Sequence, residues 1–302
     1  MANLRDIRRR IKSVKNTSQI TKAMQLVAAA KMKKAQDQAI AGRDYADRLN
    51  AVLVNLKDNI NEDDHALLKT PKGKKELMVV ISTDKGLCGG LNTNLLKKVR
   101  AEMAESADVV TVGRKLRLAL AKMGKNIVSD WEVHDPVPFA AAKSIGAYLT
   151  EEFLKGEHSA VRVAFTNFET TLTQTPWVSQ LLPIQASTLA EKRAYEGMGE
   201  ADDAADETKA SRETNMLRDY IFEPGPDGVL DALLPLYINY QVYQMILEAR
   251  ASEHSARMVA MKSATDNAES MIKDLTLEYN KLRQAAITSE LLEITTAMKA
   301  ME

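Results

Sequence analysis

Residues 4–40 read LRDIRRRIKSVKNTSQITKAMQLVAAAKMKKAQDQAI, and this stretch decides the fold. Apolar or small residues recur along it at steps of three, four or seven, and this spacing forms the seam of a helix that packs against a second helix. The seam residues are Leu4, Ile7, Ile11, Val14, Ser18, Thr21, Ala28, Met32, Ala35 and Ala39. The seam is small or polar in its middle, so a partner helix can approach closely there.

The helical pattern extends from about residue 2 to about residue 60, because this region has no proline and Gly42 is its only glycine. At about 1.5 Å per residue, the predicted helix is about 85 Å long. A helix of that length without punctuation is typical of a coiled coil. We therefore assign residues 1–60 to an N-terminal coiled-coil helix.

A second long helix is predicted at residues 226–302. The Pro-Gly-Pro sequence at residues 224–226 precedes it, and neither proline nor glycine occurs after Pro235. Pro235 either sits in the first turns or kinks the helix locally. The seam of this helix comprises Tyr240, Tyr243, Leu247, Met258, Met261, Thr265, Ala268, Ile272, Leu275, Tyr279, Leu282 and Ala286.

Residues 75–213, between the two helices, have an α/β pattern. The predicted strands are Glu76–Thr83, Asp108–Gly113, Ala160–Phe168 and Trp177–Ile184. The predicted helices are Thr93–Glu105, a short helix ending at Met123, and Ala140–Lys155. Strands that alternate with helices predict a mostly parallel sheet with both faces covered. Residues 186–214 are rich in Ala, Glu and Asp, and we interpret them as an acidic insert or exposed loop.

Each long helix needs a partner, because helix propensity alone stabilises an isolated helix weakly and leaves its seam in water. The nearest candidate is the other terminal helix, and helices that run back to back around an inserted domain are antiparallel. The predicted fold class is therefore α + α/β, a long antiparallel coiled coil of N- and C-terminal helices with an inserted Rossmann-like α/β domain.

Composition excludes several classes of function. The chain has 41 basic and 41 acidic residues, so its net charge does not predict nucleic-acid binding. Cys88 is the only cysteine, so no intramolecular disulfide is possible. The four histidines are scattered without the spacing of metal ligands. No apolar run approaches the roughly 20 residues that span a bilayer, and no signal-peptide core is present. We expect a soluble or peripheral protein that is not secreted.

The glycine-rich sequence DKGLCGG at residues 84–90 follows a predicted strand and precedes a helix. A phosphate-binding loop has a similar outline, but the G-x-x-x-x-G-K-[ST] and G-x-G-x-x-G fingerprints are both missing. The favoured interpretation is a tight turn in which Gly86, Gly89 and Gly90 serve the backbone geometry. Cys88 is interpreted as structural, because no histidine lies near it in sequence. No catalytic, cofactor-binding or metal-binding residue is predicted.

The N-terminal helix is strongly basic. Its cations are Arg5, Arg8, Arg9, Arg10, Lys12, Lys15, Lys22, Lys31, Lys33 and Lys34. Such a face can bind nucleic acid. The lack of interleaved aromatic residues and the neutral overall charge favour instead a solvated face or a contact with an acidic protein surface.

Four segments resemble a known family. They are Ile20–Met32 (ITKAMQLVAAAKM), Ser82–Asn92 (STDKGLCGGLN), Glu253–Asn267 (EHSARMVAMKSATDN) and Tyr279–Ile294 (YNKLRQAAITSELLEI). Each resembles a hallmark segment of the gamma subunit family of bacterial F-type ATP synthase, and they occur in the same order as in that family.

The resemblance implies a central rotor shaft that is not itself catalytic. In that family the coiled coil stands inside a ring of alpha and beta subunits, and its foot binds the epsilon subunit and the membrane c-ring. The shaft couples ion flow to conformational changes of the catalytic beta subunits. The resemblance implies no cofactor, no nucleic acid and no direct small-molecule substrate. It also implies a peripheral location on the cytoplasmic side of the cell inner membrane. The absence of a transit peptide before the first helix favours a bacterial chain.

The resemblance also assigns contact residues. Contacts with beta-subunit loops are carried over to Lys22, Met24, Arg257, Arg283, Gln284 and Thr288. Contacts of the foot with the c-ring and epsilon are carried over to Tyr220 and Glu223. The alternative for the residues on the last helix is ordinary solvation with some intrahelical pairing. The methionines and alanines near the seams either smooth a turning surface or simply fill the coiled-coil core.

Two other functions stay open at this point. A structural coiled-coil protein with an α/β head would have the same two seams and would self-associate. A Rossmann-like enzyme with helical arms would need the nucleotide fingerprint that is missing here.

Overall fold

The computed structural model describes most of the chain. The described residues are 4–42, 45–46, 48–49, 52–53, 65–69, 71, 73, 75–184, 223 and 225–301. The predicted acidic insert at 186–214, Tyr220 and residues 54–60 of the predicted first helix lie outside this set. The chain divides into two compact units, Met1–Ala28 with Arg257–Glu302 and Ala29–Ala256. Each long helix contributes to both units, and the predicted domain boundaries stay a prediction.

Helices and strands follow the predicted order. The helices are α1 (Leu4–Ala41), α2 (Leu91–Glu102), α3 (Arg114–Lys122), α4 (Phe139–Leu154) and α5 (Pro226–Met301). The strands are β1 (Lys75–Ile81), β2 (Asp108–Val112), β3 (Ile127–Trp131), β4 (His158–Phe168) and β5 (Gln174–Leu182). None of these helices, within the described ranges, combines the length and apolarity needed to cross a membrane.

The first helix ends earlier than predicted. Helix α1 stops at Ala41, and residues 45–46, 48–49 and 52–53 are helical again after Gly42. Glycine weakens a helix by about 1 kcal/mol relative to alanine, which explains an interruption at this position. The hydroxyl of Tyr240 donates a hydrogen bond of 3.2 Å to the Gly42 carbonyl, so a carbonyl at the helix end has a partner.

The last helix, α5, has 76 residues. It begins at Pro226, a position at which the missing N–H of proline costs nothing. Pro235 lies inside the helix, where it removes one backbone donor. The predicted second long helix is confirmed.

The strands of the described chain form one sheet in the order β3-β2-β1-β4-β5. Strand β1 pairs in parallel with β2 and β4, β2 pairs in parallel with β3, and β5 is antiparallel to β4. The predicted mostly parallel sheet is confirmed. Strand β3 was not predicted, because its sequence IVSDW is short, polar and only half-buried, as is common at a sheet edge.

Both faces of the sheet are covered, as predicted. Alternate residues of β1 point to opposite faces, so Leu77 and Val79 belong to one core cluster and Met78 and Val80 to another. The first cluster also contains residues of α1, α4 and α5, while α2 and α3 cover the second face. The arrangement is a layered α/β domain in which long terminal helices supply part of one layer.

The predicted seams are buried. Every seam residue named above for α1 and α5 is buried or half-buried. The hydroxyls of Thr21 and Thr265 lie 2.7 Å apart in a hydrogen bond, and both residues are buried. Each hydroxyl also has a carbonyl acceptor in its own helix, at Ser18 and Met261, so one threonine can donate across the seam while the other donates within its helix.

The two terminal helices run antiparallel within Ala29–Ala256. Lys31 of α1 and His254 of α5 both contact Asp135, while Gly42, just after the end of α1, meets Tyr240, which lies earlier on α5. Residue numbers thus increase along the first helix in the direction in which they decrease along α5. The antiparallel direction inferred from chain order is found in this unit.

Gly146 on α4 is expected to be intolerant of a side chain. A Cβ there would lie 2.3 Å from the Asn239 Oδ1 of α5. In an open helix, Gly→Ala gains about 1 kcal/mol, whereas overpacking a core costs about 1–3 kcal/mol. We expect Gly146→Ala to lower the free energy of unfolding of the full chain in urea by up to about 2 kcal/mol.

Gly225→Ala is the matched control, because a Cβ at Gly225 would meet no atom within 4 Å. We expect this variant to unfold at nearly the wild-type urea concentration. An unfolding free energy of Gly146→Ala equal to or above that of the wild type would show that α4 and α5 do not pack this closely.

Candidate partner-contact surfaces and the buried charge cluster

The predicted contact residues on α1 lie beside the seam. Lys22 is exposed and Met24 is half-buried. They follow Thr21, whose hydroxyl bonds to Thr265, so the helix is anchored at the position just before them. Lys22 can therefore present its charge to a partner. Met24 lies at the border between the exposed side of the helix and the side that is packed, so only part of its side chain is accessible.

The predicted contact residues near the end of α5 are all exposed. Arg283, Gln284 and Thr288 lie on the surface of the helix. The Thr288 hydroxyl donates 2.9 Å to the Gln284 carbonyl, so it already has an acceptor within the helix. This bond is the intrahelical pairing that the sequence left open as an alternative for Thr288. The hydroxyl oxygen can still accept a further hydrogen bond.

Beyond this group, every residue of α5 from Ile287 to Met301 is exposed. The segment carries large apolar side chains on the surface: Ile287, Leu291, Leu292, Ile294, Met298 and Met301. Exposed apolar groups concentrated in one segment mark a surface that packs against another protein.

The remaining predicted contacts differ in their surroundings. Arg257 is only 9% exposed, although it lies on the same helix as the exposed Arg283. Glu223 is exposed, and Tyr220 lies outside the described residues. Arg257 therefore differs from the others, because a partner could reach little of its side chain in this conformation.

A different feature of α5 was not predicted. Every position from Gln244 to Ser255 is buried, so this part of the helix has no solvent-exposed face. Several of its side chains are nevertheless polar or charged: Gln244, Glu248, Arg250, Ser252, Glu253, His254 and Ser255. Buried polar groups must find partners, because an unpaired one costs about 1–3 kcal/mol.

Arg250 is the centre of a buried charge cluster. It is 5% exposed, and its Nη2 lies 2.9 Å from the Asp84 Oδ2 in the glycine-rich turn. Its Nη1 lies 2.7 Å from the Glu253 Oε2, and its Nε lies 3.8 Å from the Asp135 Oδ1. The guanidinium also donates to the Val133 carbonyl. Burial by itself would lower the pKa of Arg250. The surrounding carboxylates outweigh burial and raise the pKa above its usual value, so the guanidinium stays charged.

Asp135 contacts basic side chains from both long helices. Its Oδ2 lies 3.0 Å from the His254 Nε2 and 3.1 Å from the Lys31 Nζ. Burial alone would raise the pKa of Asp135, but His254, Arg250 and Lys31 together hold it well below its usual range. The loop between β3 and α4 is therefore tied to α1 and α5 by charge.

Asp84 connects the glycine-rich turn to this cluster. Its Oδ2 contacts Arg250, and its Oδ1 accepts a 3.3 Å hydrogen bond from the backbone N–H of Arg114 at the start of α3. From the sequence, Asp84 was recognisable only as part of a turn. The available signal was the position of a carboxylate directly after a buried strand, at the edge where loops of a parallel sheet meet.

The glycine-rich turn needs fewer of its glycines than the sequence suggested. Gly89 has a φ of 59°, which suits glycine. A Cβ at Gly86 or Gly90 would make only ordinary contacts of 3.6 Å or more. Cys88 is buried and accepts a hydrogen bond of 3.4 Å from the Asn92 side chain.

Replacing Arg250 is expected to be costly. Arg250→Met keeps most of the side-chain volume but leaves the Asp84, Glu253 and Asp135 carboxylates without their shared cation. Breaking a buried ion pair on one side costs about 3–5 kcal/mol. We expect a fall of that order in the unfolding free energy of the full chain in urea.

Arg114→Met is the control for this variant, because it breaks the exposed ion pair of 2.8 Å between Arg114 and Glu132. We expect little change in stability for Arg114→Met. A loss of less than about 1 kcal/mol for Arg250→Met, the range of surface pairs, would contradict the central role of Arg250.

Asp135 should make the stability of the fold sensitive to acid. Its pKa is lower in the folded chain than in the unfolded chain, so its contribution is fully present above the unfolded value of about 3.9. The contribution is lost as the pH falls towards the folded value. The stability advantage of the wild type over Asp135→Asn should therefore shrink as urea unfolding is repeated from pH 6 down to pH 3. An advantage that stays constant over this range would contradict the assignment.

Comparison with known proteins places the chain in a family. Residues 3–301 match the family model described as ATP synthase. The chain is 50% identical over 302 residues to the ATP synthase gamma chain of Akkermansia muciniphila, covering 100% of both chains. It is 47% identical over 300 residues to that of Opitutus terrae, covering 99% of each.

Solved structures share the fold. A chain of the Euglena gracilis mitochondrial ATP synthase rotor matches with a TM-score of 0.62 and 20% identity, covering 94% of this chain and 98% of that chain. A chain from the OSCP/F1/c-ring structure of the same enzyme matches with a TM-score of 0.65 and 20% identity, covering 99% and 94%. The match to the family model and the full-length identity to its curated relatives show that the chain belongs to the ATP synthase gamma-chain family.

Proposed function

We propose that the chain is the central rotor shaft of an F-type ATP synthase. In this role it couples ion flow through the membrane c-ring to conformational changes in the catalytic beta subunits during ATP synthesis or hydrolysis. One observation carries the proposal: identity of 50% along the whole length of a relative named ATP synthase gamma chain. Because the match includes both long helices and the sheet between them, it covers every part that a shaft with a foot requires.

The contribution of the chain is mechanical. The catalytic residues belong to the beta subunits, and the shaft acts by presenting a different side to each of them as it turns. The exposed end of α5 from Ile287 to Met301 suits this role, because most of its large apolar side chains share one side of the helix, so its sides differ from one another. Separate exposed side chains on one helix can contact the surrounding subunits and still let the helix turn relative to them.

The proposed partners follow from the same role. Alpha and beta subunits surround the exposed parts of α1 and α5, with Lys22, Met24, Arg257, Arg283, Gln284 and Thr288 as contacts of the beta subunits. The foot near Tyr220 and Glu223 binds epsilon and the c-ring. The chain is thereby a non-catalytic, peripheral subunit on the cytoplasmic side of the cell inner membrane.

A structural coiled-coil protein with an α/β head is the less favoured alternative. It would explain the buried seams and the Thr21–Thr265 bond equally well. It would not explain why relatives named ATP synthase gamma chain match over the full length of both chains.

Reconstitution separates these functions. The purified chain is mixed with alpha and beta subunits of the same organism, and complex formation and ATPase activity are measured. We expect a stable complex with one copy of this chain and an ATPase activity that depends on it. Self-association of the chain without binding to alpha and beta would support the structural alternative instead.

The contacts of the exposed end of α5 can be tested in the complete complex. A net hydrogen bond contributes about 1 kcal/mol, a factor of roughly five in affinity. We expect Gln284→Ala with Thr288→Ala to lower ATP-driven proton pumping relative to ATP hydrolysis by about that factor or more. This pair is preferable to Arg257→Ala, because Arg257 is buried and its removal would also disturb packing.

Thr276→Ala is the matched control for the α5 contacts. Thr276 is exposed on α5, and its hydroxyl donates to the Ile272 carbonyl just as Thr288 donates to Gln284. We expect wild-type pumping from this variant. Wild-type pumping from the Gln284 and Thr288 double variant as well would remove these residues from the contact surface.

A further inference from the structure

We infer that α5 is locked against turning about its own axis by a two-sided grip, in which Arg250, Ser252, His254 and Ser255 are the positioning residues. All four lie in the segment of α5 that is buried on every side. The inference rests on the proposed function as a rotor shaft and names the place within Ala29–Ala256 at which torque enters the helix.

The four residues lie on two opposite sides of the helix. Successive residues of an α-helix are offset by about 100°. Arg250 and His254, four positions apart, therefore share one side. Ser252 and Ser255 face away from Arg250, about 160° and 140° from it, although Ser255 lies only about 100° from its neighbour His254.

The charged side of the grip is held by two loops. Arg250 binds Asp84 in the glycine-rich turn and the Val133 carbonyl in the loop between β3 and α4. His254 contacts Asp135 in that second loop at 3.0 Å. Both loops lie beyond the carboxyl ends of parallel strands, so the rigid sheet fixes their positions.

The hydroxyl side of the grip is held by backbone. The Ser252 hydroxyl donates 3.0 Å to the Thr166 carbonyl on β4. The Ser255 hydroxyl donates 2.7 Å to the Thr171 carbonyl in the turn between β4 and β5. Both serines have no exposed surface, and their small side chains let the strand backbone come close to the helix.

Contacts of this kind resist rotation in a way that apolar packing does not. Hydrophobic contact is non-directional, so a helix held only by it can shift without losing all of its stabilisation. Hydrogen bonds weaken steeply when their angle changes. Turning α5 in either direction would break the charged side and the hydroxyl side together, because their acceptors lie on opposite sides of the helix.

If α5 slipped within the sheet domain of a rotor, the sheet domain would turn but the far end of the helix would not turn with it. Loosening the grip should therefore reduce the work delivered per ATP before it reduces ATP hydrolysis. A residue that only stabilises the fold would lower the amount of assembled complex, and the complexes that do assemble would work normally.

The test compares three variants in the complete reconstituted complex. Ser252→Ala with Ser255→Ala removes the hydroxyl side without adding volume. Asp84→Asn weakens the charged side and is mild, because the Asp84 side chain is 24% exposed and asparagine can still accept a hydrogen bond. Ser263→Ala with Ser270→Ala is the matched control, since both of these serines are exposed on α5.

Two quantities are measured for each complex: the ratio of ATP-driven proton pumping to ATP hydrolysis, and the torsional stiffness of the shaft in single-molecule rotation. We expect both to fall in the double Ser252 and Ser255 variant and in Asp84→Asn, and to match the wild type in the control. If the double variant does not assemble, the pumping ratio and the stiffness of the Asp84→Asn complex test the inference.

Assembled grip variants with the stiffness and pumping ratio of the control would overturn the inference. Failure of the wild-type chain to assemble with alpha and beta subunits would instead overturn the proposed function. The two failures are distinguishable, because the first is read only in complexes that the wild-type chain forms.

Discussion

The structure depends on the burial of a charged helix segment on all of its sides. Arg250 can lie inside the protein only because Asp84, Glu253 and Asp135 surround it, and removing water from an unpaired charge would be costly. This requirement fixes the glycine-rich turn and the loop after β3 relative to α5. Asp135, whose side chain is only partly exposed, also contacts Lys31, so the same carboxylate ties α1 to this cluster.

Much of the fold was predictable from periodicity. The seams of α1 and α5 follow helical spacing, and each predicted seam residue is buried or half-buried because the spacing of apolar residues directly reflects which side is covered. The strands β1 and β2 were predictable because they are almost continuously apolar, and β4 and β5 because they are rich in β-branched and aromatic residues. Strand β3 escaped because an edge strand with one half-buried face has little apolar signal. The end of α1 at Ala41 depended on a single glycine, which sequence patterns tolerate within a helix.

The charge cluster could not be predicted in the same way. In a periodic pattern, Arg250, Glu253 and His254 mark the solvent side of a helix, but here there is no solvent side. The partners Asp84 and Asp135 lie far away in sequence, so only the topology of the sheet brings them to the helix. The contact residues show the same limit. Arg257 and Arg283 are the same residue type on the same helix, yet one is buried and the other exposed, because burial depends on what the rest of the chain places beside each.

Because the end of α5 is exposed and its middle is buried, the backbone hydrogen bonds of this one helix stay closed for very different times in the two parts. Between Gln244 and Ser255 the backbone amides open only when the surrounding layers separate, which requires large-scale unfolding. After Ile287 no side chain of the helix is buried, so its last turns are held by local helix propensity and fray rapidly. In the free subunit, deuterium and proteases therefore reach the end of α5 long before they reach its middle. Enclosure by other proteins would lengthen the lifetime of that end most.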